Sequence, residues 1–244
     1  MDYSKLPKNV QNIIKPPLWN SYYYVSTLLR KAYEKEIPEL IKKENRYKIL
    51  DYGCGAKPYK YLFGDKIEKY VGVDVGDNPD ADVLIQPGEK LSFKNNEFDI
   101  ILSSQVLEHV EDVDSYMKEC NRVLKDNGLL MLSTHGTWQY HAAPYDFNRW
   151  TSVGLKSLFE KYQFKVNKTI PVLGQLAVTS QLRLSFFDSF ANMIGPVGRF
   201  LLAPFSLLYQ LKMRFEDLIT PQRVKLRDSA IFLLIGQKVN NFQP

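Results

Sequence analysis

The sequence predicts an α/β domain built on a doubly wound, mostly parallel β-sheet. Two observations carry this prediction: short apolar runs alternate along the chain with segments of helical period, and Gly, Asp, Asn or Pro bounds each run. Continuous apolar runs are typical of strands buried on both faces, as in a parallel sheet. Seven such strands are predicted, at YKILDYG, KYVGVDV, ADVLI, FDIILSS, GLLMLST, FKVNKTI and SAIFLLIGQKV.

The helices are predicted from apolar groups at helical spacing and from their capping residues. Residues 18–44 predict an amphipathic leading helix that breaks near Pro38. Further helical segments are expected at about 58–63, 113–125 and 151–161, the last with Thr151 as N-cap.

A chain of 244 residues is long enough for one large domain with its own core. We divide this domain into an N-terminal helical extension over 1–46, a binding core over 47–171, a helical insertion over 172–228, and a last strand with its tail over 229–244.

Charge is unevenly distributed along the chain. Residues 1–48 hold 10 basic and 5 acidic groups, 49–180 hold 14 and 18, and 181–244 hold 8 and 4. The acidic centre suits a cationic cofactor, and the basic flanks suit an anionic partner, although lysines that are simply solvated on helices explain the pattern equally well. No nucleic-acid partner is expected.

Cysteine and histidine usage narrows the class further. Cys54 and Cys120 lie in unrelated contexts, which favours a reducing compartment without a disulfide framework. The first 20 residues lack the apolar core of a signal peptide, so we expect a cytoplasmic protein. The three histidines lack metal-ligand spacing, so no metal site is predicted.

The stretch ILDYGCGAKPY, at 49–59, predicts a glycine turn at the end of the first strand, where open α/β sheets bind ligands. A dinucleotide loop would place a third glycine where this chain has Pro58, which disfavours a dinucleotide. The Gly-Lys-Ser/Thr of a phosphate-binding P-loop is also missing from this stretch.

Four motifs together resemble a class I S-adenosylmethionine-dependent methyltransferase. They are ILDYGCGAKPY, YVGVDV, GEKLSFKNNEFDIILSSQVLEHV and VLKDNGLLMLST, in family order, and the resemblance covers about 47–170. It implies a seven-stranded Rossmann-like fold, S-adenosylmethionine as cofactor and S-adenosylhomocysteine as product. The HAAPYDFNRWT run at 141–151 is similar to a subgroup of these enzymes associated with bacterial surface polysaccharide biosynthesis.

The resemblance places the cofactor on ten residues. We expect the backbone N–H groups of the glycine turn, and of the helix start after it, to donate to the methionine carboxylate of the cofactor. Asp51 is expected to face the ammonium group, and Asp74 is expected to accept hydrogen bonds from the ribose hydroxyls. Pro87 departs from the acidic residue usual in the adenine loop, so backbone contacts are expected there. The ten residues are Asp51, Gly53, Cys54, Gly55, Asp74, Val75, Gly88, Glu89, Ser104 and Gln105.

The segment 133–151 carries the candidate catalytic groups, because it follows the fifth strand at the edge where substrates enter. His141 is the first candidate base, with Asp146 to orient it and His135 as the second candidate. Arg149 would hold an acceptor carboxylate or phosphate; alternatively, it pairs with Asp146 and shapes the loop. His109 is expected to be structural.

The insertion 172–228 should emerge at the same edge and cover the site, if the last two strands are antiparallel. Gly195-Pro196 and Pro204 interrupt its apolar runs, so a bilayer span is not expected. Three roles stay open for it: a substrate lid, a dimer interface, or a surface over 183–215 that rests on the inner face of the membrane.

We therefore predict a methyltransferase that O-methylates a sugar or another small hydroxylated acceptor, phosphate-bearing acceptors included. Two alternatives stay open: an enzyme for a quinone-like or lipid-linked acceptor, and a non-catalytic scaffold that keeps the cofactor fold. The oligomeric state is open as well.

Overall fold

The computed structural model describes residues 3–42 and 44–240, so residues 1, 2 and 43 and the end of the predicted tail, 241–244, lie outside the described residues. A single seven-stranded sheet has the order β3-β2-β1-β4-β5-β7-β6, which confirms the predicted doubly wound class. The strands are β1 (Tyr47–Tyr52), β2 (Ile67–Val75), β3 (Val83–Ile85), β4 (Phe98–Ser104), β5 (Leu124–His135), β6 (Phe164–Gly174) and β7 (Ser229–Lys238).

Helices flank both faces of the sheet. They are α1 (Lys8–Ile14), α2 (Tyr23–Leu40), α3 (Val113–Val123), α4 (Ser152–Lys161), α5 (Gln175–Ile194), α6 (Pro196–Ile219) and α7 (Gln222–Arg227). The leading helix ends two residues after Pro38, and the Thr151 hydroxyl caps α4 by accepting from the Gly154 N–H at 3.0 Å, both as predicted.

The helix predicted at 58–63 is instead a short 3-10 turn, Lys60–Leu62, followed by a second one at Gly64–Lys66. Lys57 and Gly64 both have positive φ, 53° and 52°, so the backbone leaves helical geometry on either side and no room remains for α-helical turns. The helix predicted at 113–125 ends at Val123, because Leu124 already pairs with Phe98 in the sheet.

The parallel strands β1, β2, β4 and β5 bring their carboxyl ends to one edge of the sheet. Strand β7 is antiparallel to both β5 and β6, and Ile231 pairs with His135 on one side and with Val172 on the other. The connection from β6 to β7 therefore leaves from the same edge, as predicted.

The core has two layers because side chains alternate across the strands. Ile49 and Met131 face the layer covered by α2 and by the α5–α6 hairpin, whereas Leu50 and Leu130 face the layer covered by α3 and α4. The N-terminal extension thus belongs to the domain core, with Tyr33 fully buried in it.

Helices α5 and α6 form the hairpin, and they meet at Gly195, whose φ is +84°. Helix α6 continues through Pro204. Across the described residues, none of the helices combines the length and the apolar character that crossing a membrane requires.

Candidate active site

Two cavities open at the carboxyl edge of the sheet, and Gly53 lines both of them. We call them the Asp74 cavity, of about 410 Å³, and the Asp51 cavity, of about 390 Å³. The first lies beyond the end of β2, and the second lies beyond β1, β4 and β5. A ligand that passes Gly53 would occupy both.

The turn after β1 requires glycine at Gly53. Its φ is +79°, and a Cβ there would lie 2.3 Å from Cγ2 of Val106. The N–H groups of Gly53 and Cys54 both donate to the Val73 carbonyl, at 2.8 and 3.0 Å, and the Gly55 N–H donates to Asp74. The expectation that these N–H groups donate to a ligand carboxylate was therefore wrong for this geometry, because all three donate to acceptors within the protein. The turn is also followed by a 3-10 turn and not by the expected α-helix.

Asp74 is held rigidly at the mouth of its cavity. Its carboxylate accepts from the Gly55 N–H at 2.8 Å, from the Val75 N–H at 2.8 Å and from the Asn78 amide at 2.6 Å. A carboxylate offers about four acceptor positions, so the fixed oxygens can still accept from a hydroxyl. Asp74 and Val75 both line the cavity, where the sequence placed them.

The remaining walls of the Asp74 cavity are mostly apolar and aromatic. Gly88 and Glu89 also line it, and the Glu89 carboxylate accepts from the Gln86 N–H at 2.7 Å, which closes the loop on itself. Tyr52 and Tyr116 stack at 4.3 Å between ring centroids. Further walls come from Ile85, Pro87, Val106, Tyr145 and Phe147. This surface fits a flat heteroaromatic ring better than a charged group.

Asp51 is the buried carboxyl of the second cavity, with 3% of its surface exposed. Burial raises its pKa to about 7, and the nearby Asp74 charge adds to that effect. The Tyr70 hydroxyl donates to it at 2.5 Å, while Lys57 is engaged with Asp82 at 2.8 Å. A cationic ammonium placed in this cavity would lower the cost of ionising Asp51. The buried carboxyl therefore fits the ammonium group of S-adenosylmethionine.

Cys54, Gly55, Ser104 and Gln105 complete the base of the Asp51 cavity. Gln105 has a positive φ of 58°, and its N–H donates to the Ser133 carbonyl at 2.9 Å. All ten predicted cofactor residues thus line one of the two cavities.

The N-terminal extension forms the outer wall of the Asp51 cavity, which sequence reasoning missed. Tyr22 lies 6.3 Å from Trp138 between ring centroids, and its hydroxyl accepts from the Gln139 amide at 2.9 Å. The other wall residues are Ile13, Val25, Ser26 and Leu29. No residue of 175–227 lines either cavity, so the cover expected from the insertion comes from α1 and α2 instead.

Three imidazoles lie close together where the two cavities meet. The ring centroids of His135 and His141 are 5.7 Å apart, and those of His141 and His109 are 5.5 Å apart. His135 stacks on Trp138 at 5.2 Å, and His109 Nδ1 lies 2.6 Å from the Tyr145 carbonyl oxygen, its hydrogen-bond partner. His109 lines the Asp74 cavity, so it contributes to the site and does more than support the fold.

His135 has a buried carboxyl behind it. Glu108 is fully buried, and the Thr134 hydroxyl donates to its Oε2 at 2.8 Å, whereas its Oε1 lies 3.2 Å from His135 Nδ1 without the geometry of a hydrogen bond. Burial raises the pKa of Glu108 and lowers the pKa of His135 to about 3. Burial of its ring, and then the His109 charge, also lower the pKa of His141. Both candidate bases are therefore neutral at pH 7.

Asp146 and Arg149 pair with each other, which was the alternative left open for them. The two guanidinium nitrogens of Arg149 each lie 2.5 Å from an Asp146 oxygen, and Arg149 also donates to the carbonyls of Trp138 and Gln139. Asp146 accepts from the backbone N–H of His141 at 2.6 Å, and its own carboxylate does not orient the imidazole. Neither residue lines the Asp74 cavity or the Asp51 cavity, so this geometry does not support the acceptor clamp expected of Arg149.

Comparison with known proteins identifies the family of the chain. A family described as "Methyltransferase domain" matches residues 24–169, more than half of the chain. A ubiquinone biosynthesis O-methyltransferase of Sinorhizobium fredii is 30% identical over 100 residues, 36% of this chain and 40% of that protein. The homologous enzyme of Bartonella quintana is 30% identical over 130 residues, 48% of this chain and 52% of that protein. The chain thus spans about half the length of these curated relatives.

Solved structures share the fold at low identity. A SAM-dependent methyltransferase from Archaeoglobus fulgidus superposes with a TM-score of 0.55 at 15% identity, covering 93% of this chain and 97% of that one. A phosphoethanolamine N-methyltransferase from Haemonchus contortus, in complex with S-adenosylhomocysteine, gives 0.54 at 11% identity, covering 97% and 61%. The family match confirms the predicted methyltransferase family, and these structures confirm the predicted fold. The chain therefore belongs to the methyltransferase domain family and has the fold of the S-adenosylmethionine-dependent methyltransferases.

Proposed function

We propose that the protein is an S-adenosylmethionine-dependent O-methyltransferase whose acceptor is a small, mainly apolar, hydroxylated aromatic compound. The observation that carries this proposal is the Asp51 cavity, in which neutral imidazoles face apolar and aromatic walls at the methionine end of the cofactor site.

The residues of the two cavities would divide the cofactor between them. Asp74 would accept from the ribose hydroxyls, the aromatic walls around Tyr116 would enclose the adenine, and Asp51 would pair with the ammonium. S-adenosylmethionine supplies an electrophilic methyl group on its sulfonium. The passage at Gly53 would direct that methyl group into the Asp51 cavity, so the protein's main task is alignment.

The lining of the Asp51 cavity favours a quinone-like ring over a sugar. Tyr22, Val25, Leu29 and Trp138 offer apolar and aromatic surface, which an aromatic ring buries at a smaller desolvation cost than a sugar does. The relatives' role in ubiquinone biosynthesis supports the same acceptor class. A sugar is the second candidate, because Trp138 could stack on its apolar face. A phosphate-bearing acceptor has lost support, because Arg149 is committed to Asp146.

His141 is the proposed base. It contacts solvent on its loop, so a proton taken from the acceptor hydroxyl can leave, whereas the low pKa of His135 makes that ring a weak proton acceptor. We assign His135 a positioning role, in which Glu108 and Trp138 hold its ring against the acceptor.

We also propose that the reaction takes place in the cytoplasm. Both Cys54 and Cys120 are free, buried thiols, which suits a reducing compartment.

The first test is calorimetric titration with S-adenosylmethionine, S-adenosylhomocysteine and, as control, NAD. Micromolar binding of either sulfur compound that Asp74→Ala weakens at least tenfold would support the assigned site. Binding of NAD alone would contradict it.

The second test measures S-adenosylhomocysteine release with catechols that carry alkyl tails and, separately, with nucleotide sugars. His141→Ala should lower turnover at least 100-fold and leave cofactor affinity nearly unchanged. Tyr140→Ala is the matched control, because Tyr140 is 74% exposed on the same loop and lines neither cavity. Cofactor binding without turnover on any acceptor would favour the scaffold alternative.

A further inference from the structure

The α5–α6 hairpin packs Val178, Leu184 and Met213 into the core, yet it also buries a set of polar side chains and leaves many large apolar side chains exposed. The buried polar residues include Ser180, Gln181, Ser185, Ser206, Gln210 and Glu216. The exposed apolar residues include Phe190, Val197, Leu208 and Phe215, together with Met193 at 84% and Phe200 at 79% exposure. A surface helix in water normally presents charged and polar residues on its outer face, so the largely apolar outer face of this hairpin suits an apolar environment.

Several polar groups on the inner side of the hairpin bond to each other, although Gln181 Oε1 and the Ser206 hydroxyl are buried without a hydrogen-bond partner among the described residues. The Ser180 hydroxyl donates to Glu216 at 2.6 Å, and the Gln181 amide donates to the Ser185 hydroxyl at 3.2 Å. At the crossing, a Cβ on Gly198 would lie 2.4 Å from the Ala191 carbonyl oxygen, so the two backbones approach closely. Small residues and internal hydrogen bonds are the means by which helices pair in lipid, where water cannot compensate buried polar groups.

The apex of the hairpin, residues 189–201, is largely exposed. Only Ala191 and Gly198 are buried within it, and they face each other. Arg199 is the one charged residue of this stretch, and its side chain bonds to the Asn192 amide oxygen at 2.8 Å. The apex is therefore an almost uncharged apolar tip.

The base of the hairpin is basic. Arg183, Arg214 and Arg223 are exposed and, among the residues that the structure describes, none lies within ion-pair distance of a carboxylate. Two acidic residues of the base are buried and paired, Glu216 with Lys212 and Asp217 with Lys225, whereas Asp188 beside the apex has no basic partner among the described residues and accepts only from the Asn192 amide. An apolar tip with a positive rim complements an anionic lipid surface, where each basic group contributes about 1 kcal/mol of attraction.

We propose that the hairpin docks the protein on an anionic bilayer, with the apex in the boundary between headgroups and acyl chains and the basic base on the headgroups. A second copy of the chain is a poorer occupant, since two-fold pairing would bring two sets of unpaired arginines together. This inference goes beyond the proposed function and does not depend on it.

Docking would also bring the active site to the lipid surface. The amide of Gln210 donates to the Asn20 carbonyl at 2.9 Å, which ties the hairpin to the segment that carries Trp19, 62% exposed. Ile13, in the helix before this segment, is exposed and lines the Asp51 cavity. An apolar acceptor could thus pass from the bilayer to the cavity along this edge, a step that does rest on the proposed function.

The test is flotation of the full chain with vesicles of phosphatidylcholine alone or with 40% phosphatidylglycerol, on the order of the anionic fraction that such surfaces need. We expect binding to the anionic vesicles only, weakened at least tenfold when the salt concentration is raised to about 1 M. Phe200→Ser should lower the partition coefficient at least tenfold.

Val153→Ser is the matched control, because Val153 is 72% exposed outside the hairpin and its loss should leave vesicle binding unchanged. Both variants should show the far-ultraviolet circular dichroism spectrum and the melting temperature of the wild type, which shows that they fold. Absence of binding to anionic vesicles would overturn the proposal, as would a dimer, seen by analytical ultracentrifugation, that Phe200→Ser dissociates. Vesicle binding without methyl transfer would leave this proposal standing and would count only against the proposed acceptor.

Discussion

Asp51 should make the protein less stable as the pH rises through the range in which its cofactor binds. In the folded state burial raises its pKa from 3.8 to about 7, so the folded protein holds a proton that the unfolded chain has released. Since the unfolded state binds fewer protons between pH 3.8 and 7, the free energy of unfolding falls across that window. At 1.36 kcal/mol for each tenfold change in proton affinity, the full loss is about 4 kcal/mol above pH 7.

Asp51→Asn should remove this loss. The amide keeps the shape and an oxygen that can accept from Tyr70, but it does not ionise. We expect the variant to match the wild type at pH 4 and to exceed it by up to about 4 kcal/mol at pH 8, with its affinity for S-adenosylmethionine at least tenfold lower. Urea unfolding at both pH values measures the first effect, and calorimetry measures the second.

Asp82→Asn is the control with the opposite sign. Burial alone would raise the pKa of Asp82, but the hydrogen bond from the Gly72 N–H and the ion pair with Lys57 outweigh burial and hold the pKa low. The ionised Asp82 carboxylate therefore stabilises the fold at neutral pH, and this stabilisation is lost as the pH falls. Its amide variant should be less stable than the wild type at pH 8. If Asp51→Asn and the wild type showed the same pH dependence, the burial argument for Asp51 would be refuted.

Three further substitutions, with Gly64→Ala as the control for the first, test the packing of the fold. Gly53→Ala combines a positive φ with the Val106 contact, so it should lower the free energy of unfolding by about 2–4 kcal/mol and weaken cofactor binding. Gly64 has a φ of +52° but lies in open space, so Gly64→Ala should lower the free energy of unfolding by only about 1–2 kcal/mol. Chemical denaturation measures both changes. Thr151→Ala removes the N-cap of α4 and should cost about 1 kcal/mol in the same assay. Gln210→Ala removes the hydrogen bonds to the carbonyls of residues 20 and 21. Amide hydrogen exchange of residues 20–26 should therefore be at least tenfold faster in the variant than in the wild type. Equal exchange rates would contradict the proposed contact between the hairpin and the N-terminal extension.

The strands could be predicted because each is a short, continuous apolar run, and the parallel order then places the strand ends at one edge. Asp51 and Asp74 follow directly, since each lies at the end of a strand that carries a sequence motif. Both line the cavities where the sequence placed them. Local sequence was sufficient here because position along a strand fixes position in the sheet.

The missed residues are those whose role depends on distant packing. Tyr22 lines the Asp51 cavity because the N-terminal extension packs over the edge of the sheet, and no local sequence pattern predicts that contact. Glu108 was visible inside the motif SQVLEHV, and a charged residue in an otherwise apolar strand-end motif was the available signal. Its burial beside His135 is a long-range fact, since 26 residues separate Glu108 from its hydroxyl donor Thr134.

The hairpin shows how a correct position in the topology can lead to a wrong contact. Antiparallel pairing of β6 and β7 does send residues 175–227 out at the active-site edge, as predicted. The apolar composition of α5 and α6 then suggested a lid packed over the site, because apolar helices normally bury their apolar face. Here the buried face carries polar as well as apolar groups, and the Gln181 and Gln210 amides donate to the Ser21 carbonyl. The hairpin therefore supports the wall of the site from behind, and its apolar face is left for another environment.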